Sequence, residues 1–186
     1  MFKYLFLFLI MGSAFAQVLP PIKYPFYKNV FVDFKSAHYT INIDLERDIV
    51  TTESVIELYQ SEKGHIIFDL RKPCLKVEVD GEMTRAKTFL IPSSFGLAKT
   101  ILKKTAAGTH TLKITTRLKR GVDFKDGFEL GFWIRDLIGR KFLEQFLPTS
   151  FEYDQYKAHM DINIIHGKSK IIKDYTLMAN GEVSPV

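Results

Sequence analysis

The side chains that could carry chemistry are few and scattered in this chain of 186 residues. His159 and Asp161 lie two residues apart on a predicted strand, so they would share one face of it and could share a metal ion. Protein metal sites usually take at least three side-chain ligands, and the sequence shows no third partner for this pair. A polar outer face, opposite Ala158 and Met160, is the favoured interpretation. We therefore expect no metal site and no cofactor.

The sequence lacks the motifs of the common hydrolases and nucleotide-binding proteins. It contains no His-Glu-x-x-His, no Gly-x-Ser-x-Gly and no glycine-rich phosphate loop. The single cysteine, Cys74, excludes an intramolecular disulfide framework and a multi-cysteine zinc site. Nothing marks its thiol as a nucleophile. The prediction is that this chain is not an enzyme and has no catalytic residue.

Residues 144–156 differ in composition from the rest of the chain. They read EQFLPTSFEYDQY, in which aromatic rings, acids and amides surround one proline outside any regular alternation. Such a segment either packs a corner of the fold or lines a binding surface. Corner packing is favoured, because aromatic-rich loops beside proline often fill the end of a sandwich.

The elements that must position these residues are strands. Alternating apolar and polar residues at 37–45 and 50–58 predict a hairpin, and Asp80-Gly81 predicts a second tight turn. Further short strands, among them 128–134 and 171–178, follow at near-regular spacing, and only 136–146 could hold a short helix. The pattern predicts an all-β fold, an antiparallel β-sandwich with at most one short helix, over residues 37–186. Residues 17–36, which contain three prolines, are expected to be irregular.

The first sixteen residues are typical of a secretory signal peptide. Lys3 precedes a short apolar run, and small residues around Ala14 and Ala16 suit cleavage after residue 16. The run is too short to cross a bilayer, which takes about 20 residues, and no other stretch is a candidate. We expect an exported protein, periplasmic or extracellular, with no membrane span after the signal is removed.

Length and charge restrict the function further. A chain of this length holds about one domain, which excludes a large multidomain enzyme. The formal net charge is +5, and the lysines lie between apolar residues of predicted strands. Solvated strand faces explain this pattern better than a nucleic-acid surface, which would concentrate basic and aromatic residues. We expect no nucleic-acid partner.

Three segments, in order, resemble the N-terminal domain of aminopeptidase N-type (gluzincin) zinc metallopeptidases. Residues 37–58 are similar to that family's opening hairpin, x-Y-x-L-x-I-D-L followed by a turn and a strand. Residues 151–164 resemble its Phe-Pro-Cys-x-Asp-Glu-Pro-x-x-Lys-Ala-x-Phe segment, with Lys157-Ala158 at the Lys-Ala. Residues 176–182 resemble its Ser-Asn-Gly-Glu strand end, with Ala179 replacing the serine. The resemblance covers residues 34–186 and implies a β-sandwich.

The departures from the family pattern bear on function. Glu152, Tyr153 and Asp154 occupy the region of the family's Pro-Cys and Asp-Glu-Pro. The catalytic domain, with its zinc motif, is missing from this sequence. The family's N-terminal domain contributes a Gln or Glu to the pocket for the substrate amino group. The resemblance and the unusual segment together give these candidate substrate-binding residues: Glu144, Gln145, Glu152, Tyr153 and Asp154.

Three functions are compatible with these observations. The first is a non-catalytic peptide- or protein-binding or accessory module, whose partner adds a strand to a free sheet edge, with a homodimer as one form of such pairing. The second is a truncated or split part of a zinc aminopeptidase whose catalytic domain is encoded elsewhere. The third is a carbohydrate- or ligand-binding sandwich, which exposed Tyr153 and Tyr156 would favour. We expect the first.

Overall fold

The computed structural model describes residues 22–24, 26–91, 96–118, 147–151 and 156–165. Within these ranges every regular element is a strand, which confirms the all-β prediction, and no helix there is long and apolar enough to cross a bilayer. The ten strands are β1 (Ile22–Tyr24), β2 (Tyr27–Asp44), β3 (Ile49–Gln60), β4 (Gly64–Phe68), β5 (Cys74–Val79), β6 (Glu82–Thr84), β7 (Ala86–Ile91), β8 (Gly96–Thr105), β9 (Gly108–Leu118) and β10 (Lys157–Ile165). The helix predicted at 136–146 lies outside these ranges.

β2 is the strand that belongs to both layers of the sandwich. Residues 29–31 of this strand pair with β4 and residues 32–44 pair with β3, and the β2–β3 register shifts between Phe34 and Ser36. One layer has the order β6-β5-β9-β3-β2-β10, and the other has the order β2-β4-β8-β7, with β1 added to β2. A β-bulge of this kind bends a strand and increases its twist, which lets one strand serve two sheets.

The expectation that residues 17–36 are irregular is wrong for their second half, because β2 begins at Tyr27. Residues 29–32 are all buried, two on each side of the strand. Val32 packs in the main core, whereas Phe31 belongs to a smaller cluster on the other side. A strand covered on both faces reads as a continuous apolar run, so alternation could not identify it.

The main core lies between the two layers and follows the alternation read from the sequence. Tyr39 and Ile41 of β2 are fully buried, as are Ile56 and Leu58 of β3. Burying one such aliphatic side chain contributes about 1.5–3 kcal/mol. β4, β5, β8 and β9 add residues to the same cluster, so both layers share one core. The predicted β2–β3 hairpin and the sandwich are confirmed.

The sequence led us to expect a purely antiparallel sandwich, and this part of the prediction is wrong because two strand pairs are parallel. β4 runs parallel to the first half of β2, and β10 runs parallel to residues 36–44 of the same strand. The period of two identifies a strand and its buried face, but it carries no information about which strand lies alongside or in which direction. Strands were also predicted at 128–134 and 171–178, which lie outside the described ranges.

A short segment, residues 147–151, fills one end of the sandwich and leads toward β10. Asp69 and Thr149 exchange two backbone hydrogen bonds of 2.9 Å, and the Ser150 hydroxyl donates to the Val32 carbonyl (3.0 Å). Leu147 is in the main core, and the ring of Phe151 meets Phe31 edge-on at 5.5 Å. Corner packing is therefore what this part of the 144–156 segment does.

The hydroxyl of Tyr39 joins this segment to β2. It donates to the Pro148 carbonyl (2.9 Å) and lies 3.0 Å from the hydroxyl of Tyr156, just before β10. Tyr156 also packs edge-on against Phe34. Burial and the neighbouring Tyr156 raise the pKa of Tyr39, so its hydroxyl is a neutral donor at neutral pH.

The Asp80-Gly81 turn is confirmed and joins β5 to β6. Both residues have positive φ, 53° and 79°, the conformation that a tight two-residue hairpin needs. The Asp80 carboxylate accepts a hydrogen bond from the Thr111 N–H (2.9 Å) and lies 2.7 Å from Nδ1 of His110. Burial disfavours its charged form, but these two hydrogen bonds and the charge interactions with His110 and Lys103 together outweigh burial and lower the pKa of Asp80.

We predict that Tyr39→Phe lowers the free energy of unfolding by about 1–3 kcal/mol, because it leaves the buried Pro148 carbonyl without its donor. Urea unfolding followed by circular dichroism measures this change. The matched control is Tyr59→Phe, since Tyr59 is 45% exposed. Equal stability losses in the two variants would contradict the role given to Tyr39.

We predict that the stability added by Asp80 depends on acid pH. A carboxyl whose folded pKa is lowered stabilises the fold above its unfolded pKa of about 3.9, and this contribution is lost as the pH falls through the folded pKa. The difference in unfolding free energy between the wild type and Asp80→Asn should therefore shrink as the pH falls from about 5 toward 2. Asp48→Asn, at another turn aspartate with positive φ, controls for the loss of a charge. A difference that does not change with pH would refute the assignment.

Candidate functional site

The outer face of the β10–β2–β3–β9 layer is polar and carries a shallow depression. Its volume is about 530 Å³, and it opens across the start of β10 and the middle of β2. The side chains that matter for its chemistry are these: Ser36, His38, Glu57, Lys157 and His159. Alternation places them together, since the opposite side of the same strands fills the core.

Three side chains converge at one margin of this depression, and we call them the histidine–aspartate cluster: His38, His159 and Asp161. Nε2 of His38 lies 2.6 Å from one oxygen of the Asp161 carboxylate, and Nε2 of His159 lies 3.1 Å from the other. The two imidazole rings meet nearly at right angles, with their centroids 4.8 Å apart. All three side chains are exposed, by 50%, 71% and 47% respectively.

The parallel register of β10 on β2 builds the cluster. His159 lies directly beside His38, and Asp161 lies beside Thr40, one step along the same face. Residues two apart on a strand share a face, so Asp161 reaches His38 diagonally and His159 along its own strand. The sequence pointed to His159 and Asp161 but lacked a third partner, which is His38. The sequence already placed His38 on the polar face of β2, but only the pairing of β10 with β2 brings it next to His159 and Asp161.

The electrostatics of the cluster favour a charged carboxylate. The hydrogen bond from His38 lowers the pKa of Asp161, and His159 acts in the same direction. Each imidazole donates its Nε2 hydrogen to one carboxylate oxygen in this arrangement. Chemically, the cluster offers two imidazole nitrogens and one carboxylate, a donor set suited to a transition-metal ion.

β10 presents a second feature, an apolar row beside its outer edge. Ile162 and Ile164 form this row; they point toward the core side of the layer but are 45% and 42% exposed. Ile165, at the end of the strand, lies on the opposite face and is 50% exposed. Their β2 neighbours Ile41 and Ile43 are buried. Within the described ranges, β10 pairs with β2 alone, so its other edge has no strand beside it.

The candidate residues taken from the sequence are not placed by the structure. Glu144 and Gln145 lie outside the described ranges, and so do Glu152, Tyr153 and Asp154. Of the two tyrosines named for a carbohydrate surface, Tyr156 is half-buried and bonded to Tyr39, which disfavours a stacking platform at that position.

Cys74 lies at the start of β5 and packs against the main core. Burial raises the pKa of the Cys74 thiol to about 11, although the charge of Lys99 opposes the shift. Burial lowers the pKa of Lys99, whose ammonium group donates to the Thr88 hydroxyl (2.5 Å). A thiol of this pKa is protonated at neutral pH, so the environment of Cys74 suits a structural residue.

No protein-family model matches the chain, and no curated protein matches it. Solved structures do match. The chain is similar to an N-terminal region of yeast LTA4 hydrolase, with a TM-score of 0.50 and 14% identity over 73% of this chain and 23% of that one. It also matches an M1 zinc metallopeptidase from Deinococcus radiodurans, with a TM-score of 0.46 and 13% identity over 75% of this chain and 33% of that one. The chain thus spans a third or less of the length of these two proteins.

The similarity to the yeast protein establishes the fold. It confirms the resemblance of this chain to the N-terminal β-sandwich of the zinc metallopeptidases, which the sequence segments had indicated.

We predict that Cys74 reacts slowly with iodoacetamide at pH 8. With a pKa of about 11, only about one thiol in a thousand is ionised at that pH. Labelling of the folded protein, followed by mass spectrometry, should be at least about a hundredfold slower than labelling of the same chain in guanidinium chloride. Comparable rates in the two states would show that the thiol is activated.

Proposed function

We propose that this chain is an exported, non-catalytic binding module that receives an extended segment of a partner protein along the outer edge of β10. The fold, that of the N-terminal region of M1-type zinc peptidases, supports the accessory role, because the sequence carries none of the catalytic motifs sought in it. The apolar start of the sequence supports export. The binding proposal is based on the length of the β10 edge strand and on its exposed apolar side chains.

The edge of β10 differs from the other sheet edges in the described ranges. β6 has three residues, and β7 has six, including the exposed Lys87. Short edge strands and edge lysines are ordinary protection against unwanted pairing. β10 has nine residues and an apolar row of two exposed isoleucines, Ile162 and Ile164, on its core side. A long apolar edge invites strand addition.

The backbone of β10 has hydrogen-bonding groups directed to that edge. The Leu45 N–H donates to the Ile165 carbonyl at 3.0 Å, so Ile165 bonds toward β2. Alternate residues of a strand direct their N–H and C=O to opposite neighbours, and the β10–β2 register has no irregularity. The odd-numbered residues of β10 therefore bond to β2, while Ala158, Met160, Ile162 and Ile164 direct theirs outward.

The same alternation defines the chemistry of the partner. A strand added beside β10 would place every second side chain on the core side, next to Ile162 and Ile164. Apolar side chains at those positions would cover the exposed isoleucines, at about 25 cal/mol per Å² of apolar surface buried. The intervening side chains would lie beside Asp161 and Asn163 and would be polar. The partner is thus an extended segment of alternating apolar and polar residues.

A second candidate is a part of a zinc aminopeptidase whose catalytic domain is a separate chain. The similarity to a region within a larger peptidase favours it. In that case the catalytic chain would be the partner, and it would copurify with this protein.

We predict that Ile162→Pro weakens strand addition while β10 stays paired to β2. Proline at 162 removes an outward N–H and no bond to β2. The probe is a fluorescein-labelled decapeptide of alternating Val and Thr with a Lys at each end, and binding is followed by fluorescence polarisation. We expect the wild type and Ile162→Val to bind the peptide alike. Ile162→Pro should bind it at least about tenfold more weakly, because the peptide loses the hydrogen bond from the N–H of residue 162 and the hydrogen bonds beside it are weakened.

Thermal unfolding of the three proteins checks that the fold survives each substitution. Light scattering measures the molar mass of the protein and so tests whether a second copy of this chain pairs with the β10 edge. A dimer that Ile162→Pro disrupts would show such pairing and would contradict the proposal. Absence of peptide binding by the wild type would also refute it. The peptide should remain intact after incubation with added Zn²⁺, and its hydrolysis would contradict the non-catalytic assignment.

A further inference from the structure

The histidine–aspartate cluster has the composition and geometry of a metal site. We propose that His38, His159 and Asp161 bind one divalent transition-metal ion, with Zn²⁺ as the best fit, and that the ion fastens β10 to β2. The proposal is independent of peptide binding, since the cluster lies on the outer face of the layer and the isoleucine row lies on the other.

The spacing of the donor atoms is already close to that of a metal site. One ligand atom from each of the three residues lies within 4.8 Å of the other two. Tetrahedral zinc with ligands at 2.0–2.1 Å requires ligand atoms roughly 3.3 Å apart. The distances from Asp161 to the two histidines, 2.6 and 3.1 Å, need only small side-chain adjustments to admit an ion.

The orientation of the rings supports the same conclusion. Nε2 of His38 and Nε2 of His159 both face the Asp161 carboxylate, one at each of its oxygens, so ligand atoms of all three side chains are directed to one another. When the ion binds, each ring directs the lone pair of Nε2 to the metal and keeps one hydrogen on Nδ1, so a protonated ring releases one proton to solvent and a neutral ring shifts its hydrogen to Nδ1 through solvent. No oxidation or reduction is involved, and Asp161 remains a carboxylate.

The donor set selects the class of ion. Two imidazoles and one carboxylate are typical ligands of Zn²⁺ and related first-row ions, whereas Ca²⁺ and Mg²⁺ prefer oxygen ligands throughout. Three protein ligands leave a fourth position open toward the depression, which is the coordination of an open site. A water molecule or a donor of a partner would complete it.

The position of the cluster gives the ion a structural consequence. His38 and Asp161 are separated by 123 residues in the chain and are joined across the β10–β2 pair. An ion that binds ligands of both strands binds the folded state, and so it raises the stability of the paired arrangement by mass action.

His110 provides the matched control, because it also contacts an aspartate. Its Nδ1 lies 2.7 Å from the Asp80 carboxylate, and its Nε2 donates to the Ala106 carbonyl (3.0 Å). Both of its nitrogens are engaged, and among the described side chains no second histidine joins this pair. His110→Gln therefore removes an imidazole that contacts an aspartate near the start of β9 without touching the proposed site.

The experiment uses protein purified without a polyhistidine tag, treated with EDTA and dialysed. Titration with ZnCl₂ in a calorimeter should give one ion per chain, and Zn²⁺ should raise the melting temperature. We expect His38→Gln, His159→Gln and Asp161→Asn each to weaken binding by at least about tenfold, the lower end of the cost of disturbing a metal site, and His110→Gln to bind like the wild type. Co²⁺ in place of Zn²⁺ should give the intense visible absorption of a four-coordinate ion.

The wild type alone supplies a second test that no folding defect can obscure. In the NMR spectrum, Zn²⁺ should shift the imidazole signals of His38 and His159 and leave those of His110 in place. Failure to bind one ion per chain, or equal binding by the wild type and the three cluster variants, would overturn the proposal. Shifts confined to other histidines would also overturn it.

Discussion

The hydroxyl of Tyr39 is the polar group on which the remaining structure depends. Tyr39 is fully buried in the middle of β2, where an unpaired hydroxyl would be costly. The partners that satisfy it, the Pro148 carbonyl and the Tyr156 hydroxyl, come from a part of the chain more than a hundred residues away. Because Tyr156 immediately precedes β10, this one polar requirement fixes where β10 starts along β2.

The position of β10 then decides both features with functional consequences. On the outer face, the parallel register places His159 beside His38 and brings Asp161 to both. On the core side, the same strand lies at the margin of the layer, where Ile162 and Ile164 stay partly exposed. One strand thus has a face that carries His159 and Asp161, an apolar face and, among the described residues, an edge with no strand paired to it, and each follows from its alternation.

A prediction of metal ligands from this sequence could go only as far as His159 and Asp161, because a separation of two residues is local information. His38 lies in the first predicted strand, where Thr40 and Asn42 occupy the same polar face. From the sequence alone, His38 is therefore as readily a solvent-exposed polar residue as a metal ligand. The cluster arises from pairing between strands that are distant in the chain. The alternation of apolar and polar residues is the same whichever strand lies alongside and in whichever direction it runs, so it could not predict this pairing. Residues 29–32 were missed for a related reason, since burial on both faces removes the alternation.

The sequence alone determined that the chain is all-β, that Tyr39 and Ile41 face a core, that Asp80-Gly81 forms a tight turn, and that no common catalytic motif is present. These properties depend on local conformational preference and on the separation of apolar from polar side chains, which neighbouring residues encode. The tertiary structure decided that β2 serves both layers, that β10 runs parallel to it, and that two histidines and an aspartate meet. Those outcomes depend on how buried groups such as the Tyr39 hydroxyl find distant partners, and only the complete fold brings those partners together.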